Sequence, residues 1–378
     1  MSGPTSLPGY GPPNGAANGA LLDRGVLIVG TGLLGTSLGL ALRRASVDVR
    51  LRDRDPAALG AAVDLGAGRP DPPAADAASL AVVAVPPEAT AAMVTQLLVE
   101  GSAEYVTDVA SVKAVPVRQV RATAPDPGRY VGGHPMAGRE VSGPHGALVD
   151  LFEGRPWVLC PDEGTDPHAV TRALAVVRTA GAVPVTMPPA EHDAAVALVS
   201  HAPHVVAALM AARFVDAPTQ ELRLAGQGVS DVTRVAAGDP ALWTEILTAN
   251  SAAVAEVLRR LRGDLDRVLQ ALDTAAGPTG QAMLREVLSG GVDGRGRLPG
   301  KHGAPQIEFA TVAVVVDDKP GQLAALFADA GAAGVNVEDV RIEHSPGQPV
   351  GLVELDVRPG SESVLISALR GRGWTVQG

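Results

Sequence analysis

The run Val26-Leu27-Ile28-Val29, followed at once by Gly30-Thr31-Gly32-Leu33-Leu34-Gly35, constrains this chain more than any other stretch. An unbroken apolar run fits a strand buried on both faces of a parallel sheet. Ser37 to Arg44 then carries Leu38 and Leu42 on one face of a helix. In such a strand-turn-helix unit the three glycines have separate uses: a tight turn, close approach of backbone amides to a pyrophosphate, and packing of helix on strand. The helix amino terminus adds amides and a favourable dipole for the anion. A second strand, Val47 to Leu51, ends near Asp53, about twenty residues on, where a carboxylate can bond the ribose hydroxyls of NAD and repel the extra phosphate of NADP. Arg50, Arg52 and Arg54 leave room for NADP, but the acidic residue favours NAD.

The remaining composition excludes several classes. With 378 residues, 46% of them hydrophobic, the chain can build two or three cores. A net charge of -10 argues against nucleic acid or an anionic membrane as partner. The single cysteine, Cys160, cannot form an internal disulfide and is read as core packing in a reducing cytoplasm. Residues 1–23, rich in Gly, Pro, Asn and Ala, read as a disordered tail rather than a signal peptide, and no segment reads as a membrane span.

Further strands follow, Leu80 to Val85 leading into Pro86-Pro87, and Tyr105 to Asp108 leading into Ser111 and Lys113. In an open α/β sheet, ligands bind beyond the carboxyl ends of the strands. The stretch Gly132-Gly133-His134-Pro135-Met136-Ala137-Gly138-Arg139-Glu140 reads as a glycine-rich loop at such an end. An isolated His-Pro is more often a plain turn. With a cofactor turn upstream, His134 becomes a candidate general base, since imidazole titrates nearest neutrality.

After Val183-Pro184-Val185 the pattern turns helical, with Pro203 predicting a kink in Ser200-His201-Ala202-Pro203-His204. Two histidines there make an incomplete metal site, and no metal is expected. Asp239-Pro240 reads as helix cap and first turn, and an amphipathic stripe from Ile246 to Leu272 predicts one long helix ending near Gly277-Pro278, part of whose face suits a homodimer. Arg234 offers a guanidinium for bidentate capture of a carboxylate.

Taken in order, these motifs resemble the prephenate dehydrogenase family, in a form fused to a carboxyl-terminal ACT domain. The resemblance rests on Gly30 to Gly35, Asp108-Val109-Ala110-Ser111-Val112-Lys113, Gly132 to Gly138, Ser200 to His204, and Asp231-Val232-Thr233-Arg234 followed by Asp239-Pro240 and Trp243. It implies NAD-dependent oxidation and decarboxylation of prephenate to 4-hydroxyphenylpyruvate, on the way to tyrosine. His134 would be the base and Ser111 would orient it. Arg234, His204, Glu140 and Trp243 would hold or line the substrate. Gly30, Thr31, Gly32, Leu33, Leu34, Gly35, Asp53, Val85 and Pro86 would bind NAD. Arg139, where many members have a small hydroxyl residue, and Gln227, which interrupts a frequent triple glycine, leave L-arogenate as an alternative substrate.

The expected organisation is a tail at 1–23, an α/β Rossmann NAD-binding domain at 24–186, and an all-α substrate and dimerisation domain at 187–288. A Gly-, Arg- and Pro-rich linker at 289–306 would then lead to an α+β ferredoxin-like domain at 307–378, of order β-α-β-β-α-β. In that last domain the resemblance points to Asp318, Pro320, Gly321 and Asn336 as the amino-acid site, with tyrosine as effector. A purely structural dimerisation module remains the alternative. A catalytically dead sensor of NAD and amino acids is a further alternative, disfavoured by the joint presence of Ser111, His134, His204 and Arg234.

Overall fold

Strand β1 (Val26–Val29) is buried along its whole length, and its alternate side chains enter two different cores. Val26 and Ile28 join Leu38, Leu42, Val170 and Leu174 on one side, while Leu27 and Val29 join Val94, Leu97, Val117 and Val120 on the other. A strand covered on both faces needs this apolar run; an alternating one would bury polar groups. The computed structural model describes residues 20–73, 75–139, 141–275, 277–298, 309–344 and 350–377. Two compact units result: the chain up to Val206 with Val235–Arg259, and Ala207–Arg234 with the chain from Arg260 onward.

In the first unit β1 lies in an eight-stranded sheet of order β3-β2-β1-β4-β5-β6-β7-β8. Its other strands are β2 (Val49–Arg52), β3 (Arg69–Pro70), β4 (Ala78–Val83), β5 (Ala103–Asp108), β6 (Tyr130–Pro135), β7 (Pro156–Cys160) and β8 (Val183–Thr186). All neighbours are parallel except β6 and β7. Helices α1 (Leu33–Arg44), α2 (Pro56–Asp64), α3 (Pro87–Glu100), α4 (Ala114–Thr123) and α5 (Pro167–Thr179) supply the crossovers and cover the faces. Strand order reverses between β1 and β4, and this switch opens the ligand crevice of a doubly wound sheet. The arrangement is a Rossmann-like nucleotide-binding domain.

The glycine turn between β1 and α1 explains itself sterically. Gly30 has φ +102°, a conformation that L side chains rarely adopt, and a Cβ there would strike the Ala84 carbonyl. A Cβ on Gly35 would land on the Gly30 carbonyl oxygen, whereas Gly32 faces open space. Turn, open approach and tight packing are thus distributed over the three glycines.

The helical segment is α6 (Pro189–Val196), a π turn Ala197–His201, α7 (Ala202–Ala211), α8 (Thr219–Leu222), α9 (Gln227–Thr233), α10 (Pro240–Ala249), α11 (Ser251–Asp273) and α12 (Pro278–Gly296). Pro203 therefore does not break the helix: the irregularity is the π turn immediately before Ala202. The predicted long helix after Pro240 is two, divided at Asn250, whose φ of -112° ends α10. Ser289 does not begin a linker, because α12 continues to Gly296. Likewise the tail is shorter than expected, since Leu22 is packed in the core; residues 1–19 and 299–308 lie outside the described residues. Contrary to the sequence reading, the continuous helical stretch Pro189–Phe214 has a window of 18 residues with a mean hydropathy of 1.7, long and apolar enough by length and composition to cross a bilayer. The same stretch carries the buried polar side chains His192, Asp193, His201 and His204, which tie it into a protein interior. Leu198, Val199, Leu209 and Met210 on it are exposed.

The second unit contains a carboxyl-terminal sheet of order β10-β11-β9-β12, antiparallel throughout. Its elements run β9 (Ala310–Asp317), α13 (Gln322–Ala332), β10 (Val337–His344), β11 (Val350–Val357), α14 (Glu362–Gly371) and β12 (Thr375–Gln377). Val312, Val314, Leu326, Leu355, Leu365 and Leu369 form its own core.

Replacing Gly35 by Ala is expected to lower stability by about 1–3 kcal/mol, the usual result of overpacking, and to weaken dinucleotide binding. Denaturant titration and a dinucleotide-binding isotherm check both.

Candidate active site

His134 is the fifth residue of β6, so it lies in the last turn of a strand rather than in a loop. Gly132 and Gly133 before it pair with Cys160 and Leu159 of β7. The strand is anchored from below by Asp108, the last residue of β5. This fully buried carboxylate accepts hydrogen bonds from the amides of Gly133 at 3.0 Å and Ala110 at 2.9 Å and from the Tyr130 hydroxyl at 2.8 Å. It also pairs with the buried Lys113 ammonium, which donates to the Gly133 carbonyl at 2.7 Å. Burial, reinforced by Asp108, pushes the Tyr130 phenol well above its usual range.

A second network reaches His134 from the helical segment. Asp193 of α6 accepts from the first amides of α4, Lys113 N at 2.8 Å and Ala114 N at 2.9 Å, and from His192 Nδ1 at 2.8 Å. His192, itself fully buried, meets His134 Nδ1 through Nε2 at 2.8 Å. The Asn250 amide donates to the Asp193 carbonyl at 2.8 Å and to His201 Nδ1 at 3.1 Å. An amide nitrogen can only donate, so neutral His201 keeps its proton on Nε2. Burial works against the Asp193 charge, but the bonds from His192 and the α4 amides prevail and hold its carboxyl below the usual range.

His134 and His201 both line a cavity of about 650 Å³. Gly32, Leu33, Leu34, Val85 and Pro86 border it on the cofactor-turn side, and Ser111, Arg139, Ser200 and Trp243 also line it. Ser111 was expected to orient His134; among the described residues no hydrogen bond joins them, and His192 takes the Nδ1 position instead. His204 is not on the cavity wall. It stacks on Trp243, with ring centroids 3.6 Å apart and planes within 10°. Its Nδ1 is buried without a partner among the described residues. Arg234 is exposed at the start of a 3₁₀ turn, Arg234–Ala237, and belongs to the second compact unit. Glu140 lies outside the described residues. His192, Asp193, Asn250 and the buried roles of Asp108 and Lys113 were not singled out from the sequence. The adjacency His192-Asp193 was the available signal, but it reads as an ordinary polar helix face until α4 is placed against it.

Asp53 directly follows β2, beside the glycine turn. Its carboxylate accepts from Thr31 N at 2.6 Å, Thr31 Oγ1 at 2.7 Å and Asp55 N at 2.9 Å. Burial opposes the charge, but these bonds hold the carboxyl below its ordinary value. The free amides of α1, the open space at Gly32 and this carboxylate fit a dinucleotide.

Residues 38–186 match the family profile described as prephenate dehydrogenase, nucleotide-binding domain, and residues 188–287 match prephenate dehydrogenase, dimerization domain. "Probable prephenate dehydrogenase NovF" of Streptomyces niveus is 40% identical over 358 residues, covering 93% of this chain and 99% of that one. The chain belongs to the prephenate dehydrogenase family. Among solved structures, it is similar to prephenate dehydrogenase of A. aeolicus in complex with hydroxyphenyl propionate and NAD+, at 29% identity and TM-score 0.61, covering 71% of this chain and 97% of that one. It is also similar to Synechocystis arogenate dehydrogenase, at 28% identity and TM-score 0.60, covering 71% and 99%. The helical segment is thus the dimerisation domain of this family.

Burial lowers the titration points of His134, His201 and His204, His201 to about 4. A histidine kept neutral in the fold but free to take a proton when unfolded makes stability rise with pH between its two values. For His201, stability is expected to be level above 6.5 and to decline as pH falls toward about 4. Denaturation midpoints across that window check this, and His201→Asn should flatten the slope.

Proposed function

We propose that this family member is an NAD-dependent prephenate dehydrogenase, oxidising and decarboxylating prephenate to 4-hydroxyphenylpyruvate for tyrosine synthesis. The observation that carries this reading is His134 at the carboxyl end of β6, facing one cavity with the glycine turn of a dinucleotide site. Its Nδ1 is engaged by His192, so Nε2 is the nitrogen left for substrate. Bound NAD supplies the hydride acceptor. His134 Nε2 takes the proton of the ring hydroxyl as the carbinol C–H leaves as hydride. The bond to the ring carboxylate then breaks, carbon dioxide departs, and its electron pair moves through the ring to the carbonyl oxygen, which takes the proton back from His134 as the ring becomes aromatic. Ser111 and the Nε2–H of His201 serve as hydrogen-bond donors to substrate oxygens, and Trp243 backs the ring. The resemblance assigns Arg234 to a substrate carboxylate, and His204, off the cavity wall, acts through its stack on Trp243. Gly30 to Gly35, Asp53, Val85 and Pro86 hold the cofactor.

Arg139 is the one permanently charged side chain among the described residues lining the cavity, and His201 there stays neutral at cellular pH. A cation there suits the doubly anionic prephenate better than arogenate, which carries an additional ammonium. The exposed apolar residues of the dimerisation domain support a homodimer. The carboxyl-terminal unit is assigned as an ACT-type, ferredoxin-like module that binds an amino-acid effector, tyrosine. Support comes from its β-α-β-β-α-β order and from the turn at Asp318, Pro320 and Gly321, where Gly321 has φ +89°, with Asn336 directly before β10.

Prephenate is expected to show a higher kcat/KM than L-arogenate with NAD, and Arg139→Ser should narrow the ratio; a preference for arogenate in the wild-type protein would reverse the assignment. For His134→Asn, kcat should fall by about 10²- to 10⁴-fold, the scale of a lost general base, with NAD affinity retained. For Arg234→Ala, KM for prephenate should rise by about tenfold or more, as for a lost charged hydrogen bond. Steady-state kinetics read both.

A further inference from the structure

Asp193, His192 and His134 form an unbroken line of hydrogen bonds, anchored at one end on α4 and open at the other to the cavity. We propose that His192 and Asp193 are positioning residues that fix the tautomer of His134, keeping the proton on Nδ1 and presenting the Nε2 lone pair to the substrate hydroxyl. The proposal rests on His134 being the base, and it adds why that ring is always ready to act as one.

The proton positions follow from what each group can donate. Asp193 caps α4, taking the amides of Lys113 and Ala114, which lie at the positive end of the helix dipole. A carboxylate there is ionised and can only accept. Its 2.8 Å contact with His192 therefore places a proton on His192 Nδ1. Neutral His192 has only a lone pair left, at Nε2, and its 2.8 Å contact with His134 Nδ1 is a hydrogen bond only when His134 donates. The opposite tautomer of His134 would set two lone pairs against each other inside a buried site.

The same chain serves the product of the proton transfer. An imidazolium that has taken the substrate proton at Nε2 still donates from Nδ1, so neither ring needs to turn over. The Asp193 carboxylate, one ring away, offsets the new charge. Lys113, the other cation near His134, is neutralised by Asp108. The edge-on packing of the two imidazoles, centroids 5.0 Å apart and planes at 73°, directs His134 Nδ1 at the His192 nitrogen.

His192→Leu removes the acceptor at similar volume, and His192→Gln restores one, because its amide oxygen can face His134 while its NH₂ faces Asp193. With prephenate and NAD, kcat for the Leu variant should fall by about 10²-fold, the scale of losing a group that orients a catalytic histidine. KM for NAD should hold, and the Gln variant should recover most of kcat. A Leu variant as fast as wild type, or a Gln variant as slow as Leu, overturns the proposal. Near-normal turnover by His134→Asn would instead remove the reading of His134 as base. Spectra of ¹⁵N-histidine-labelled wild-type protein, assigned by difference against His134→Asn, give a readout that survives a folding defect in the variants. A proton on Nδ1 of His134 supports the proposal, and a proton on Nε2 overturns it.

Discussion

The buried carboxylate of Asp108 is the constraint on which the site depends. A charge with no exposed surface is tolerable only when its lone pairs are filled. Here the donors are Lys113, Tyr130 and the amides of Ala110 and Gly133. Those donors come from the turn after β5, from the first and fourth residues of β6 and from the start of α4. Filling one carboxylate therefore fixes the ends of two neighbouring strands and the entry to a helix, and it sets the height at which His134 leaves the sheet.

The helical segment joins this scaffold through a second carboxylate. Asp193 closes the amino terminus of α4, a helix of the nucleotide-binding fold, while its own carbonyl is held by Asn250. Asn250 is also where the long amphipathic stripe divides, and the same amide sets the proton of His201. The break in the helix is thus a point of attachment. Two imidazoles on the cavity wall are thus tied into one network, His134 through His192 and His201 through Asn250.

This division shapes what could be read from residues alone. The strand-turn-helix unit at Gly30 was legible because its requirements are local: apolar side chains for two faces, and glycines where a Cβ would strike backbone. His134 stood out because ligands bind beyond the carboxyl ends of the strands in an open α/β sheet, and a cofactor turn lies upstream. Its surroundings were less so. The Gly132–Pro135 stretch looked like a loop by composition, yet antiparallel pairing with β7 makes it strand. The family resemblance pointed to Ser111 as the partner of His134, whereas His192, 58 residues away, holds the bond. The π turn at Ala197–His201 was mistaken for a proline kink, since no sequence rule places a widened turn.

By itself the sequence determined a dinucleotide-binding sheet, a histidine at its carboxyl edge, a helical domain after it and a separate small sheet at the end, because strand burial, glycine sterics and helix periodicity act over a few residues. Only the tertiary structure decided which groups are charged and where the protons lie. Burial leaves His201 neutral, His192 and the α4 amides keep Asp193 ionised, and Asp108 and Lys113 neutralise each other. Those states depend on desolvation and on donors brought from distant segments, and neither quantity exists until the chain has folded.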